Sequence, residues 1–273
     1  MKSIFSRVNL DARLSIALFV SVMFSLSACV STNTASSAPL NAAVLTEERI
    51  AEILASPDRS AADRANDLQR KTDQMLEFIG IRSGMVVLDL SAGGGYTTEL
   101  LARAVGPAGR VYGQSTPLSA PPSERPSSPQ ALALRAKNSA LVNIVPVVRP
   151  FEDPIPPEIA SGGLDLVTFM FNYHDLGHMG VDRARMNSAV FAALKSGGLY
   201  VIADHSGRTG TGISESGTLH RMEEAFLRQE VESAGFKQVN QGNFLRNPSD
   251  PRDKNIPEPA QAKDEFVLKF VKP

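Results

Sequence analysis

From Met85 onward the chain alternates between two hydrophobic rhythms, short nearly all-apolar runs and longer stretches with apolar residues three or four apart. The first rhythm predicts strands at Met85–Leu90, Arg110–Gly113, Ile144–Val148, Leu164–Phe171 and Leu199–Ala203, the first of them buried on both faces. The second predicts helices at Tyr96–Val105, Gln130–Asn138, Asp182–Leu194 and Arg221–Ala234, the third with Met186, Val190, Ala193 and Leu194 inward. Upstream, Thr46–Leu54 reads as a short helix capped by Thr46, with Glu47 and Glu48 in its first turn. Ser60–Ile79 reads as one longer helix, with Leu68, Met75, Leu76 and Ile79 at helical spacing. Two strands with no helix between them, Phe236–Val239 and Glu265–Val271, close the chain. In the last, Phe266, Leu268 and Phe270 share one side and Lys269 takes the other.

Strand–helix alternation predicts an α/β fold with a doubly wound sheet, mostly parallel, closed by a C-terminal antiparallel pair. Ligands of such sheets lie beyond the carboxyl ends of the strands, so the residues there are the candidates for chemistry. Thr116 to Pro129 holds five prolines, is predicted to be irregular, and follows the second strand at that edge, where it can serve as a lid or as a solvated loop.

The start of the chain follows neither rhythm. Lys2, Arg7 and Arg13 precede an apolar run, Leu14–Phe24, which is shorter than the roughly 20 residues a spanning helix needs. A positive start, a short apolar run and small residues after it predict an export signal over residues 1–28. Its end, Leu26-Ser27-Ala28-Cys29, resembles the lipobox of bacterial lipoproteins. That resemblance implies lipidation of Cys29 and a protein held by its lipid to the cell envelope, facing the periplasm; the alternatives are a plain signal peptide, or a buried helix in which Cys29 is just small and apolar, and the protein is cytoplasmic if the signal is not used. Val30 stands where Asp commonly retains such proteins at the inner membrane, so the resemblance points to the outer membrane. Residues 29–44, rich in Ser, Thr, Ala and Asn, read as a flexible tether to a domain over 45–273.

Composition narrows the partners. Lys+Arg 28 against Asp+Glu 29 leave a net charge of −1, which argues against a general nucleic-acid binder. One cysteine excludes a disulfide framework and a Cys-rich zinc site.

Asp89-Leu90-Ser91-Ala92-Gly93-Gly94-Gly95-Tyr96 lies where the first predicted strand turns into its helix. Small residues let a backbone approach a ligand closely, and the helix start offers free N–H groups. Thr98 stands where a dinucleotide fingerprint needs its third glycine, which leaves a nicotinamide-dependent oxidoreductase poorly supported, and no Walker Lys-Ser/Thr follows. A carboxylate before the glycines suits a ligand with a positive amino group. With Leu194-Lys195-Ser196-Gly197-Gly198 and the apolar strand behind it, this region resembles the class I S-adenosylmethionine-dependent methyltransferases. Ser91 takes the place of that family's first glycine. The resemblance runs from about Leu68 to Pro273. It is greatest to a group of bacterial predicted methyltransferases that share Ala92-Gly93-Gly94-Gly95-Tyr96 and Leu219-His220-Arg221.

The resemblance implies a Rossmann-like seven-stranded sheet, S-adenosylmethionine as cofactor, and a methyl acceptor that no motif identifies. It implies that Asp89, Ser91, Ala92, Gly93, Gly94 and Gly95 hold the methionine end of the cofactor. Gln114 stands in for the acid that usually grips the ribose at the end of the second strand. Phe151 or Glu152 falls on the adenine side, Phe151 facing the ring or packing in the core.

After the fourth strand come Asn172, Tyr173, His174 and Asp175, where the family meets substrate and methyl group. His174 titrates in the range of a proton acceptor, Asp175 can orient it, and Tyr173 can face the sulfonium. A purely structural hydrogen-bonding role for His174 and Asp175 is the alternative. His174 and His178 stand four apart, but Asp replaces the usual Glu, Gly177 lies between them and a strand precedes, so no metal site is expected there. His205 and His220 line the cleft or cap loops. Two function classes result: a methyltransferase, or an envelope lipoprotein that uses this fold for binding without catalysis. The second arises because export carries a protein away from the cytosolic supply of S-adenosylmethionine.

Overall fold

The computed structural model describes residues 44–117, 127–159 and 162–273. Cys29, the export signal, the tether up to residue 43 and residues 118–126 of the expected lid lie outside the described residues. In chain order the elements are α1 (Glu47–Ala55), α2 (Ala61–Arg70), α3 (Thr72–Ile79), β1 (Val86–Leu90), α4 (Tyr96–Val105) and β2 (Arg110–Ser115). Next come α5 (Ser128–Arg135), β3 (Ile144–Val148), β4 (Leu164–Met170), α6 (Asp175–His178), α7 (Arg183–Ala193) and β5 (Leu194–His205). The chain ends with α8 (Ser216–Leu219), α9 (Glu224–Ser233), β6 (Lys237–Gly242) and β7 (Glu265–Val271).

The strands form one seven-stranded sheet in the order β3-β2-β1-β4-β5-β7-β6. Strands β1 to β5 pair in parallel, and β7 runs antiparallel between β5 and β6. Successive residues of each strand face opposite sides, so the sheet feeds two cores. On one side Leu88, Leu90, Val167, Phe169, Phe266, Leu268 and Phe270 pack with Met186, Val190, Leu227 and Val231 of α7 and α9. On the other, Val87, Val111, Leu166, Val201 and Val267 pack with apolar residues of α1, α3 and α4. This is the expected doubly wound, mostly parallel sheet with its antiparallel C-terminal pair.

Three details differ from the sequence expectation. The helix expected over Ser60–Ile79 breaks at Lys71, whose φ of 46° is left-handed. Leu68, expected inward, is 83% exposed, and α2 buries only Asp63. Ionic contacts dock α2 instead: Arg59 makes a two-pronged bond to Asp67 (2.6 and 2.8 Å), and Arg135 reaches Asp63 at 2.8 Å. Helix α5 starts at Ser128 rather than Gln130, with Pro129 in its first turn, where a missing N–H costs nothing. Strand β5 begins at Leu194, and the expected stop, Ser196-Gly197-Gly198, is an irregularity within the strand, with Gly197 at φ 78°.

Candidate active site

The strand order reverses between β1 and β4, and a cleft of ≈ 220 Å³ opens beyond their carboxyl ends. Ser91 and Gly93 wall it from the first loop, Ser115 and Thr116 from the end of β2, and Ser128 and Pro129 from the start of α5. Phe151, Asn172 and Met179 complete it.

The glycine loop folds back on β2. Ala92 N donates to Gln114 O and Gly95 N to Ala92 O, both at 2.8 Å. Gly93 and Gly95 have φ of 55° and 84°, and a Cβ on Gly95 would lie 2.7 Å from Leu132 Cδ1. The left-handed φ therefore favours glycine at Gly95, and any Cβ there would also have to displace the Leu132 side chain of α5. Ser91 and Phe171, directly after β1 and β4, are non-glycine residues with left-handed φ of 53° and 58°. Such strain costs of order 1–3 kcal/mol per residue and collects where function demands it.

Two expected cofactor residues turn out to be committed to the protein itself. Asp89 is buried with both oxygens occupied, Oδ2 by Thr98 Oγ1 at 2.6 Å and Oδ1 by Thr168 Oγ1 at 2.8 Å. Burial pushes its carboxyl up to about 6, against the pull of those two hydroxyls. It supports the loop from beneath and is not part of the cleft wall. Gln114 is fully buried; its Oε1 accepts from Ser91 N at 2.9 Å and its Nε2 donates to Arg149 O at 2.7 Å. The expected ribose role is therefore corrected by one residue, because strand alternation turns Gln114 inward and Ser115 to the cleft. Ser115 Oγ is buried at the cleft wall without a hydrogen-bond partner. The alternation of β2 was the signal that finds it. Glu152 is half-buried and not among the cleft walls, while Phe151 is, with its ring stacked on Phe169 at 5.9 Å. Of the loop residues, Ala92 is buried and Gly94 is exposed, its carbonyl accepting from Arg135 Nε at 2.8 Å.

Tyr173 does not face a sulfonium. It is fully buried in the core, with its ring against Phe169, and its hydroxyl bonds Glu230 at 3.1 Å and Asn187 at 2.8 Å. Burial and the Glu230 charge raise its pKa far above the ordinary tyrosine value.

Asn172, His174 and Asp175 form one hydrogen-bonded chain instead. Ser91 Oγ donates to Asn172 Oδ1, and Asn172 Nδ2 donates to Asp175 Oδ2 at 2.5 Å. His174 Nε2 lies 3.1 Å from Asp175 Oδ1, and its Nδ1 lies 2.6 Å from Asp204 Oδ1. Asp204, fully buried, also accepts from the His174 backbone N–H at 2.7 Å. Burial alone would lower the His174 pKa, but the two carboxylates hold it up at about 9. With each nitrogen facing a carboxylate, His174 is held in place by Asp175 and Asp204 rather than left free to take a substrate proton, and is corrected from proton acceptor to positioning residue. Asp175, despite burial, is held down at about 2 by His174 and then His220. His220 Nδ1 reaches Asp175 Oδ1 at 2.9 Å, and 40% of its side chain is exposed. The role of His220 as a partner of Asp175 was invisible from spacing, since 45 positions separate the two.

The fold is that of the S-adenosylmethionine-dependent methyltransferases. Residues 69–116, from the end of α2 through β1, the glycine loop and β2, match the protein-L-isoaspartate(D-aspartate) O-methyltransferase family. A SAM-dependent methyltransferase from Aquifex aeolicus superposes with TM-score 0.55 at 16% identity, covering 84% of this chain and 100% of its own. An arsenic(III) S-adenosylmethionine methyltransferase from Chlamydomonas reinhardtii gives TM-score 0.53 at 17% identity, covering 82% and 73%. The [4+2]-cyclase SpnF gives 0.56 at 16%, covering 80% and 85%. No curated protein matches the chain by sequence. A cyclase among the similar structures means that the fold leaves the reaction open, so the reaction is argued from the site.

Proposed function

We propose that this chain is an S-adenosylmethionine-dependent methyltransferase, with its cofactor in the cleft between the glycine loop and the end of β2. The observation that carries the reading is the cleft itself: left-handed Ser91 and Gly93 on one wall, an unpartnered buried Ser115 Oγ on the next, and the Phe151 ring on a third. The close loop backbone admits the methionine end, Ser115 offers one hydroxyl to the ribose, and Phe151 offers an aromatic face to adenine. Methyl transfer is an in-line displacement, so the protein's main tasks are alignment and exclusion of water. Asn172, fixed between Ser91 and Asp175, carries alignment from the loop to the histidine cluster.

Supported only by the Leu26–Cys29 motif, the second part of the proposal places the mature protein on an envelope lipid anchor at Cys29, facing the periplasm. Two or more acyl chains hold such an anchor, since each buried CH₂ contributes about 0.8 kcal/mol. The methyl acceptor then lies in the envelope or reaches it there.

Calorimetric titration of the purified chain with S-adenosylmethionine tests the first part. Saturable heat is expected, and Ser115→Asp should bind about tenfold tighter, roughly 1.4 kcal/mol, by adding a charge-assisted bond to the ribose. No heat from the folded wild type would sink the methyltransferase reading. Radiolabelled palmitate incorporation into the wild type but not into Cys29→Ser tests the anchor, and an unlabelled wild type removes it.

A further inference from the structure

His174, Asp175 and His220 each offer one donor atom, and all three atoms lie within 4.8 Å of one another. Metal–nitrogen and metal–oxygen bonds of about 2.0–2.2 Å place neighbouring donors of one ion about 2.9–3.5 Å apart. Asp175 Oδ1 lies 3.1 Å from His174 Nε2 and 2.9 Å from His220 Nδ1. We propose that His174, Asp175 and His220 hold a divalent first-row metal ion, of which Zn²⁺ is the representative, at the edge of the cleft, the ion replacing the proton between His174 Nε2 and Asp175 Oδ1, which passes to solvent.

The surroundings of the three residues supply the independent argument. Metal-binding imidazoles almost always donate their second ring N–H to a carboxylate or carbonyl, which orients the ring and raises its basicity. His174 does this through Nδ1 to Asp204 Oδ1 at 2.6 Å, and that carboxylate is fixed by the backbone N–H groups of His174 (2.7 Å, to Oδ2) and His205 (2.8 Å, to Oδ1). Asp175 is braced in the same way: Asn172 occupies Oδ2 at 2.5 Å and leaves Oδ1 toward the histidines. His220 is set by a left-handed backbone, φ 50°, directly after α8. His178 adds a third imidazole, its Nδ1 3.7 Å from Asp175 Oδ1 but already 3.0 Å from Ser216 Oγ.

Two imidazoles and one carboxylate are the donor set of metal sites that keep coordination positions open. The exposed side of His220 gives ion and ligand their way in. The spacing of His174 and His178 along the chain misses this site, because the second imidazole comes from a different loop. Met179 and Asn172, next in sequence to His178 and bonded to Asp175, line the cleft, so a group bound there is adjacent to the ion. A hydroxyl or thiol on such an ion loses its proton near neutral pH. That consequence rests on the methyl-transfer reading; ion binding does not.

The test is a titration of the chelator-stripped full-length chain with Zn²⁺ alone, read by competition with a chromophoric chelator and repeated with Co²⁺ by absorption. One equivalent is expected, with a cobalt spectrum showing nitrogen and oxygen donors. His220→Ala, on the exposed side of the cluster, should weaken binding at least tenfold while circular dichroism and melting stay as in the wild type. Asp175→Asn should do the same if His220→Ala proves unstable. Absence of a stoichiometric ion in the folded wild type, or binding to both variants as tight as to the wild type, would overturn the site. The titration contains no S-adenosylmethionine, so its failure leaves the methyltransferase reading standing.

Discussion

Asp89 and Gln114 are polar residues at the carboxyl ends of neighbouring strands, and both turn into the protein rather than toward the cleft. On β1, Leu88 and Leu90 enter one core and Val87 the other, which sends Asp89 beneath α4 to Thr98 and Thr168. A carboxyl raised from 3.8 to about 6 by burial binds more protons in the native than in the unfolded state between those pH values. Its contribution therefore falls as pH rises through that window and stays lost above it, by about 3 kcal/mol for the shift of about two units. Asp89→Asn carries no such charge, so the variant should gain on the wild type between pH 4.5 and pH 7.5. Melting temperatures at the two pH values check this, and a gap that does not change with pH would show that Asp89 is not strained by burial.

The helices differ in what docks them. Helices α3 and α4 present apolar stripes, and their ends were legible from spacing and from the glycines Gly80 and Gly106 that close them, although the start of α3 at Thr72 was not. Helix α2 has no buried apolar residue, so the periodicity of Leu68 with Met75 and Leu76 misled. Its anchor is ionic: Arg135 of α5 joins Asp63 of α2, Glu99 of α4 and the Gly94 carbonyl of the glycine loop. Arg135→Ala leaves Asp63 and Glu99 buried with fewer counter-charges, and breaking such a pair costs about 3 kcal/mol. The denaturation midpoint should fall with an unchanged slope. A midpoint equal to that of the wild type would show that solvent already screens the network.

At the scale of the whole molecule, the last strand matters most. Strand β7 enters between β5 and β6, pairing Leu199–His205 on one side and Lys237–Gly242 on the other. Its Phe266, Leu268 and Phe270 fill one core and Val267 the other. Truncation after Asp264 removes an interior strand rather than a tail, and should abolish the cooperative unfolding transition seen by calorimetry. A truncated chain that still melts cooperatively would mean that β5 and β6 close the gap themselves.

Hydrophobic rhythm is local, and what it determined is local: the strands, most helices, the glycine loop, and the class of sheet that their alternation builds. The alternation of β2 even held the information that Ser115, not Gln114, meets the cleft. Tertiary structure alone decided where β7 inserts, that charged rather than apolar contacts dock α2, and that His220 meets Asp175 across 45 positions. Those outcomes depend on which distant side chains satisfy each other once the sheet is assembled. No periodicity along the chain carries that information, because period reports the face a residue takes and not the partner waiting there.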